Sequence, residues 1–309
     1  MASARRLYRL SLALAGLGTL SVLAIVGATL SHLSLTPPPF AEVLAACGRL
    51  VPAELSLAGA VLLGLGGLAL IVFVRGVRSA LVQARAQVRV RSGLRLAVEH
   101  ERHGEFVRLF PSSRPQAFCA GLLRPRVFLS ATARDRLSEE ELRAVLAHEG
   151  HHVLRHDPLR LFAARILADA LFFVPALHRL EQRYAELAEL AADEAAVRAA
   201  GSAALASALL KLGASDHPHA TVALAPERVD HLCGAPTRWR LETRTLVLSL
   251  VGVVGLAGAA LFAGVMAGGV RVEVLSVVVQ SCMALMLAVP VAAVGALWRR
   301  RHGGPRPAR

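Results

Sequence analysis

The sequence predicts an α-helical membrane protein with four transmembrane helices and an inserted soluble domain that is mainly α with a few strands (α+β). Mean hydropathy is +0.52, and 55% of the 309 residues are apolar while only 5% are aromatic. The excess therefore comes from Ala, Leu and Val in a few long runs, the composition of membrane spans rather than of a soluble core. The formal charge is +13, with Lys211 the one lysine among 35 basic residues. The arginines crowd beside the apolar runs, as the flanks that set membrane orientation do.

The first run, Tyr8 to Ser31, follows Arg5, Arg6 and Arg9. It is longer than the apolar core of a secretory signal, so it predicts a retained helix. A second run extends from about Leu55 to Val74. The third, Thr245 to Val270, and the fourth, Val274 to Trp298, are separated by a tight turn holding Arg271. Each reaches the roughly 20 residues that a helix needs to cross the hydrocarbon core. Arg75, Arg78, Arg85, Arg89, Arg91 and Arg95 follow the second span, Arg238, Arg240 and Arg244 precede the third, and Arg299 to Arg301 follow the fourth. With four spans, all these clusters face the cytoplasm together with both termini, and only Arg49 and Arg271 fall outside. The expected organisation is an N-terminal membrane region over 1–74, a cytoplasmic domain over 75–244, and a C-terminal membrane region with a basic tail over 245–309.

The cytoplasmic block opens on an Arg-rich stretch that reads as a helix along the headgroups. Strand-like segments follow at Glu105 to Leu109, Ala117 to Cys119 and Arg126 to Ser130, with Gly121 and Pro125 marking a hairpin between the last two. From Ser138 to Leu212 the pattern is helical, with breaks near Pro158, Pro175 and Gly201. Leu159 to Leu177 is apolar but holds Arg160, Arg165 and Asp169. It reads as a buried or membrane-grazing helix, because a fifth span would place Arg299 to Arg301 outside the cell.

The chemistry gathers on one helix. Ser138 and Glu141 form a capping box at its start, and the run His148-Glu149-Gly150-His151-His152 follows. His148 and His152 lie one turn apart on one face, so both imidazoles can reach one metal ion. Glu149 lies beside them, placed to take a proton from an attacking water. In a chain with 12 histidines, chance gives about 0.02 such H-E-x-x-H matches. A later helical stretch, Glu189-Leu190-Ala191-Ala192-Asp193, supplies Glu189 as a third ligand, with Glu186 and Glu194 as nearby rivals. Two histidines and one carboxylate leave a fourth position for water. Asp193 is placed to accept the other ring N–H of a ligand histidine. His151 points off the metal face, and His156 is read as an outer or interfacial group.

These residues resemble the BlaR/MecR-type membrane metallopeptidases. The resemblance rests on Ala147 to His152, on His156-Asp157-Pro158, on Glu189 to Ala195, and on Ala117 to Phe128 as the strand region before the catalytic helix. It implies a gluzincin-like zinc peptidase domain inserted between pairs of spans, with one Zn2+ per chain in a bacterial cell membrane. It also implies an endopeptidase that inactivates a DNA-binding, winged-helix repressor. The antibiotic sensors of the family continue into an extracellular penicillin-binding domain, and this sequence, ending at Arg309, resembles the shorter members. Arg228 lies where related peptidases keep an arginine for the oxyanion, with His231 and His217 as rivals.

The alternatives are a quality-control protease of the HtpX type and a non-catalytic membrane receptor or scaffold. An intact Glu149 speaks against the scaffold, and the flanking patterns favour the BlaR/MecR type over HtpX. Direct nucleic-acid binding is not expected, since no basic segment carries interleaved aromatics. Cys47, Cys119, Cys233 and Cys282 form no C-x-x-C pair, so they imply neither a zinc knuckle nor a disulfide framework. The expected partners are the lipid bilayer, a protein or peptide substrate, and a second copy in a possible homodimer.

Overall fold

Residues 2–34, 57–94, 97–102, 105–212, 242–266 and 272–273 are described by the computed structural model of the chain. They comprise helices α1 (Ala2–His32), α2 (Leu57–Gly93), α3 (Ala131–Arg136), α4 (Glu139–Arg155), α5 (Asp157–Ala170), α6 (Ala176–Ala200), α7 (Ser202–Leu212) and α8 (Thr243–Met266). The strands are β1 (Leu33–Ser34), β2 (Val98–Arg102), β3 (Glu105–Phe110), β4 (Ala117–Ala120), β5 (Arg126–Ser130) and β6 (Val272–Glu273).

Three helices are long and apolar enough to cross a membrane: Arg6–His32, Ala60–Val90 and Thr243–Met266. They correspond to the first three expected spans. The fourth, 274–298, lies outside the described residues. Leu20, Phe73, Leu261 and Val265 are exposed on these helices, as side chains facing lipid should be. The second apolar run does not end its helix at Val74, because α2 continues unbroken to Gly93. The Arg-rich stretch is thus the same helix carried on by Arg, Ala, Gln and Val, with no proline to stop it.

The chain divides into two compact units. One comprises 21–69 and 255–309; its described core packs Ile25, Leu62, Leu65 and Ala69 with Ala260 and Ala263. The short strands β1 and β6 pair in parallel. The other unit, 1–20 with 70–254, holds β2 to β5 and α3 to α7 with the adjoining segments of α1, α2 and α8.

In that second unit a four-stranded sheet has the order β2-β3-β5-β4. Strand β3 is parallel to β5, and the two outer pairs are antiparallel. The β4–β5 hairpin forms as expected, with Ala120 opposite Arg126. Its turn needs Gly121, whose φ is 110° and whose missing Cβ would meet the Arg124 carbonyl oxygen at 2.6 Å. One sheet face buries Val107, Val127 and Leu129 against Leu142, Val145 and Leu146 of α4. Each such side chain contributes roughly 1.5–3 kcal/mol on removal from water.

Two devices fix the ends of α4. At its start, Glu141 Oε2 accepts from the Ser138 amide at 2.7 Å, and Ser138 Oγ accepts from the Glu141 amide at 3.3 Å. Glu141 also accepts from Lys211 at 2.7 Å and from Ser207, both on α7. Those bonds, Lys211 foremost, hold its carboxyl down at about 2 despite its burial. At its end, His156 adopts the left-handed conformation (φ 53°) and caps α4 through its amide, which donates to the His152 and Val153 carbonyls. The chain then reverses into α5, with Pro158 in the first turn.

The turn from α5 to α6 is seated among apolar helices of the same unit. Arg75 of α2 donates to the Asp169 carbonyl at 2.9 Å, and Ser79 donates to the Asp169 carboxylate at 2.6 Å. Ala176, the first residue of α6, donates its amide to Ser249 of α8 at 3.0 Å, which satisfies one of the helix's otherwise orphaned N–H groups. Gly252 approaches so closely that a Cβ there would meet the Phe173 carbonyl oxygen at 2.8 Å.

Candidate metal centre

Helices α4 and α6 carry the expected donors and bring them together. Position i and i+4 on α4 place the His148 and His152 Nε2 atoms 3.3 Å apart. Glu189 of α6 reaches between them, with Oε2 3.5 Å from His148 Nε2 and Oε1 3.6 Å from His152 Nε2. Among the described residues these three form a cluster able to hold a metal ion. Ligands bound to zinc at 2.0–2.2 Å in a tetrahedron stand about 3.3–3.6 Å apart. The two imidazole nitrogens fall in that range and a different Glu189 oxygen approaches each of them, so the donor set suits such an ion in chemistry.

The outer nitrogens of both rings meet carboxylates. His148 Nδ1 lies 3.0 Å from Asp193 Oδ1, in ion-pair contact though not lined up for a straight hydrogen bond. Asp193 is fully buried. His152 Nδ1 lies 3.0 Å from Asp157 Oδ2, and Asp157 is also buried. A carboxylate on Nδ1 places the proton there and turns the Nε2 lone pair towards the centre.

Asp157 is the residue that sequence reasoning missed. The segment His156-Asp157-Pro158 stood out, but five residues beyond His152 would lie on another face of a continuous helix. The left-handed turn at His156 is what folds the carboxylate back. Asp157 also accepts from the Tyr184 hydroxyl of α6 at 2.9 Å, and Arg155 Nε lies 3.7 Å away. Burial alone would raise its pKa, but the bonds from His152 and Tyr184 and the charge of Arg155 outweigh it and hold the carboxyl below its usual range.

The electrostatics of the centre call for a cation. Burial pushes His148 down, yet Asp193, Glu189 and Glu149 together reverse this and carry it up to about 10. The same carboxylates that hold a proton there would attract a metal ion. Glu149 is half-buried on α4 between the two histidines in sequence. On the edge strand β4, the Cys119 thiol is pushed up to about 12 by its own burial and by the charges of Glu149 and Asp157, which places this strand beside the centre. His156 is exposed and turned to capping, whereas His151 is half-buried with its Nε2 enclosed. Arg228, His231 and His217 lie outside the described residues.

A peptidase helix buried against a small sheet, a two-histidine, one-carboxylate cluster, and three apolar helices define a class: this is a membrane-associated metallopeptidase. Its family follows from comparison. The model of the BlaR1 peptidase M56 family matches residues 55–231, more than half of the chain, and the protein belongs to that family. No curated protein matches the sequence.

Proposed function

We propose that the protein is a multi-pass membrane zinc endopeptidase whose catalytic domain faces the cytoplasm and cleaves a cytoplasmic protein. The observation that carries this reading is the convergence of His148, His152 and Glu189, whose ligand atoms lie within 4.8 Å of one another, each histidine set against a buried carboxylate. The cytoplasmic orientation rests on the arginine pattern of the sequence.

His148, His152 and Glu189 would hold the ion. Zinc bound there supplies a Lewis acid that acidifies a water and polarises the scissile carbonyl. Glu149 takes the proton from the attacking water and passes it to the leaving amine. Asp193 and Asp157 keep both imidazoles oriented through the cycle. Strand β4 is an edge of the described sheet and packs beside α4, a place where a substrate can be held in extended form by strand addition. Arg228, with His231 and His217 as rivals, is the candidate to steady the oxyanion. The substrate class proposed is a DNA-binding repressor of the winged-helix type.

The test is paired. Bound zinc is measured in the detergent-solubilised wild type and in Glu149→Ala, and each is co-expressed with a candidate repressor. Zinc in both and cleavage in the wild type alone supports the reading. Zinc in neither, or cleavage indifferent to Glu149, overturns it.

A further inference from the structure

Beyond the metal ligands and their carboxylates, a chain of contacts runs outward from His152 to the first apolar helix. Asp157 accepts from Tyr184 at 2.9 Å, and Tyr184 is 1% exposed, so it is the largest fully buried side chain of the described residues. Burial and the neighbouring Asp157 raise the Tyr184 pKa, which keeps its hydroxyl protonated as a donor, while the charge of Arg160 on α5 acts on the same group in the opposite sense. Tyr8 of α1 closes the assembly. Its ring lies 5.2 Å from the Tyr184 ring at 40°, and the Arg160 guanidinium carbon sits 5.5 Å from the Tyr8 ring centre. Tyr8 therefore contacts both the Tyr184 ring and the Arg160 side chain.

We propose that Tyr8, on the first membrane helix, is a positioning residue for the metal centre, acting on His152 through Tyr184, Arg160 and Asp157. A buried tyrosine has few ways to orient its ring. The Tyr8 ring packs against that ring, and the Arg160 cation in turn lies over Tyr8. Asp157 has one oxygen on Tyr184 and the other on His152, so a rotated Tyr184 draws the carboxylate from the imidazole it braces. A shift of α1 then alters the donor geometry without touching a ligand, which gives the membrane helix a direct hold on the site. This inference rests on the metal-centre reading above.

The experiment uses the full chain in detergent, comparing wild type, Tyr8→Phe, Tyr8→Leu, Tyr184→Phe and the Tyr8→Leu/Tyr184→Phe double variant. Zinc affinity is read by competition with a chromophoric chelator. Co2+ replaces zinc in a second series, whose visible absorption reports ligand geometry. Loss of an outer partner of a ligand weakens binding by about 10–100-fold. Tyr8→Leu and Tyr184→Phe, one step further out, are expected to weaken it by about 3–10-fold and to shift the cobalt bands alike. Tyr8→Phe keeps the ring and should match the wild type. Because the two residues act in one chain, the double variant should be no weaker than the weaker single one. Wild-type affinity and spectrum in Tyr8→Leu, or losses that multiply in the double variant, overturn the proposal. A wild type that binds neither ion overturns the metal centre itself, a distinguishable result. Tyr8→Phe and the cobalt spectrum separate loss of positioning from a general loss of fold.

Discussion

Replacing Asp193 by Asn isolates the contribution of a buried charge to the metal centre. Asp193 is wholly enclosed, and its Oδ1 stands 3.0 Å from His148 Nδ1. Asparagine keeps the volume and one oxygen, so packing is preserved. What disappears is the negative charge, and with it the ion-pair contact to the ring. Removing an outer partner of a metal-ligating histidine costs about 10–100-fold in metal affinity, or roughly 1.4–2.7 kcal/mol. Asp193→Asn should fall near the lower end of that range and Asp193→Ala near the upper. Glu189→Ala, which removes a ligand, should exceed both, and Glu149→Ala should leave affinity nearly unchanged because Glu149 is assigned no bond to the ion. The assay is chelator competition at fixed pH, with thermal unfolding of the zinc-stripped proteins as the control for folding. Wild-type affinity in Asp193→Ala, or a loss in Glu149→Ala as large as in Glu189→Ala, would refute the assignment of roles.

Further predictions concern the frame around the site. Glu141 has a folded pKa of about 2 against an ordinary 4.5, so the stability it supplies is full above 4.5 and lost as pH falls towards 2. Glu141→Gln should be less stable at neutral pH by about 1–2 kcal/mol, and the gap in thermal midpoint should close between pH 4.5 and 2. A gap of constant size would rule out the charge as its source. Cys119, with its thiol raised from 9.0 to about 12, has a thiolate fraction at pH 8 about 10³-fold below that of an ordinary cysteine. Site-resolved mass spectrometry should find it slow to alkylate in the folded chain and faster in Glu149→Gln; labelling at the unfolded rate would contradict its burial. Gly252→Ala places a methyl where the Phe173 carbonyl oxygen stands at 2.8 Å, and should cost about 1–3 kcal/mol through overpacking. An unchanged thermal midpoint would show that the approach of α8 is looser than described.

Local patterns were the legible part of this sequence. The capping box at Ser138 and Glu141, the hairpin around Gly121 and the i, i+4 pair on α4 all depend on neighbours within five residues, and each formed as read. Glu189 came from the same logic applied to α6, one turn before Asp193. Strand β2 escaped because Val-Glu-His-Glu-Arg has no apolar alternation. The six-residue α3 gave too short a period to detect. The length of α2 was hidden because hydropathy drops at Arg75 while helix propensity does not. Asp157 and Tyr8 are tertiary facts: one depends on a single left-handed residue and the other on the meeting of α1 with α6, neither of which a periodicity encodes.

The arrangement explains why the peptidase helices are joined so closely to the apolar ones. Helix α6 carries Glu189, Asp193 and the buried Tyr184 on one element. Its first amide is held by Ser249 of α8, and the turn before it is held by Arg75 and Ser79 of α2. Tyr8 of α1 reaches the same helix through Tyr184. Each of the three apolar helices therefore contacts α6 or the turn that sets its start. A helix packed at native density cannot shift at one end without moving the groups along its length. A centre whose donors stand 3.3–3.6 Å apart tolerates little displacement before an ion loses a ligand. The coupling proposed between the membrane helices and the metal centre would rest on the rigidity of α6 combined with the narrow geometric demand of a metal site.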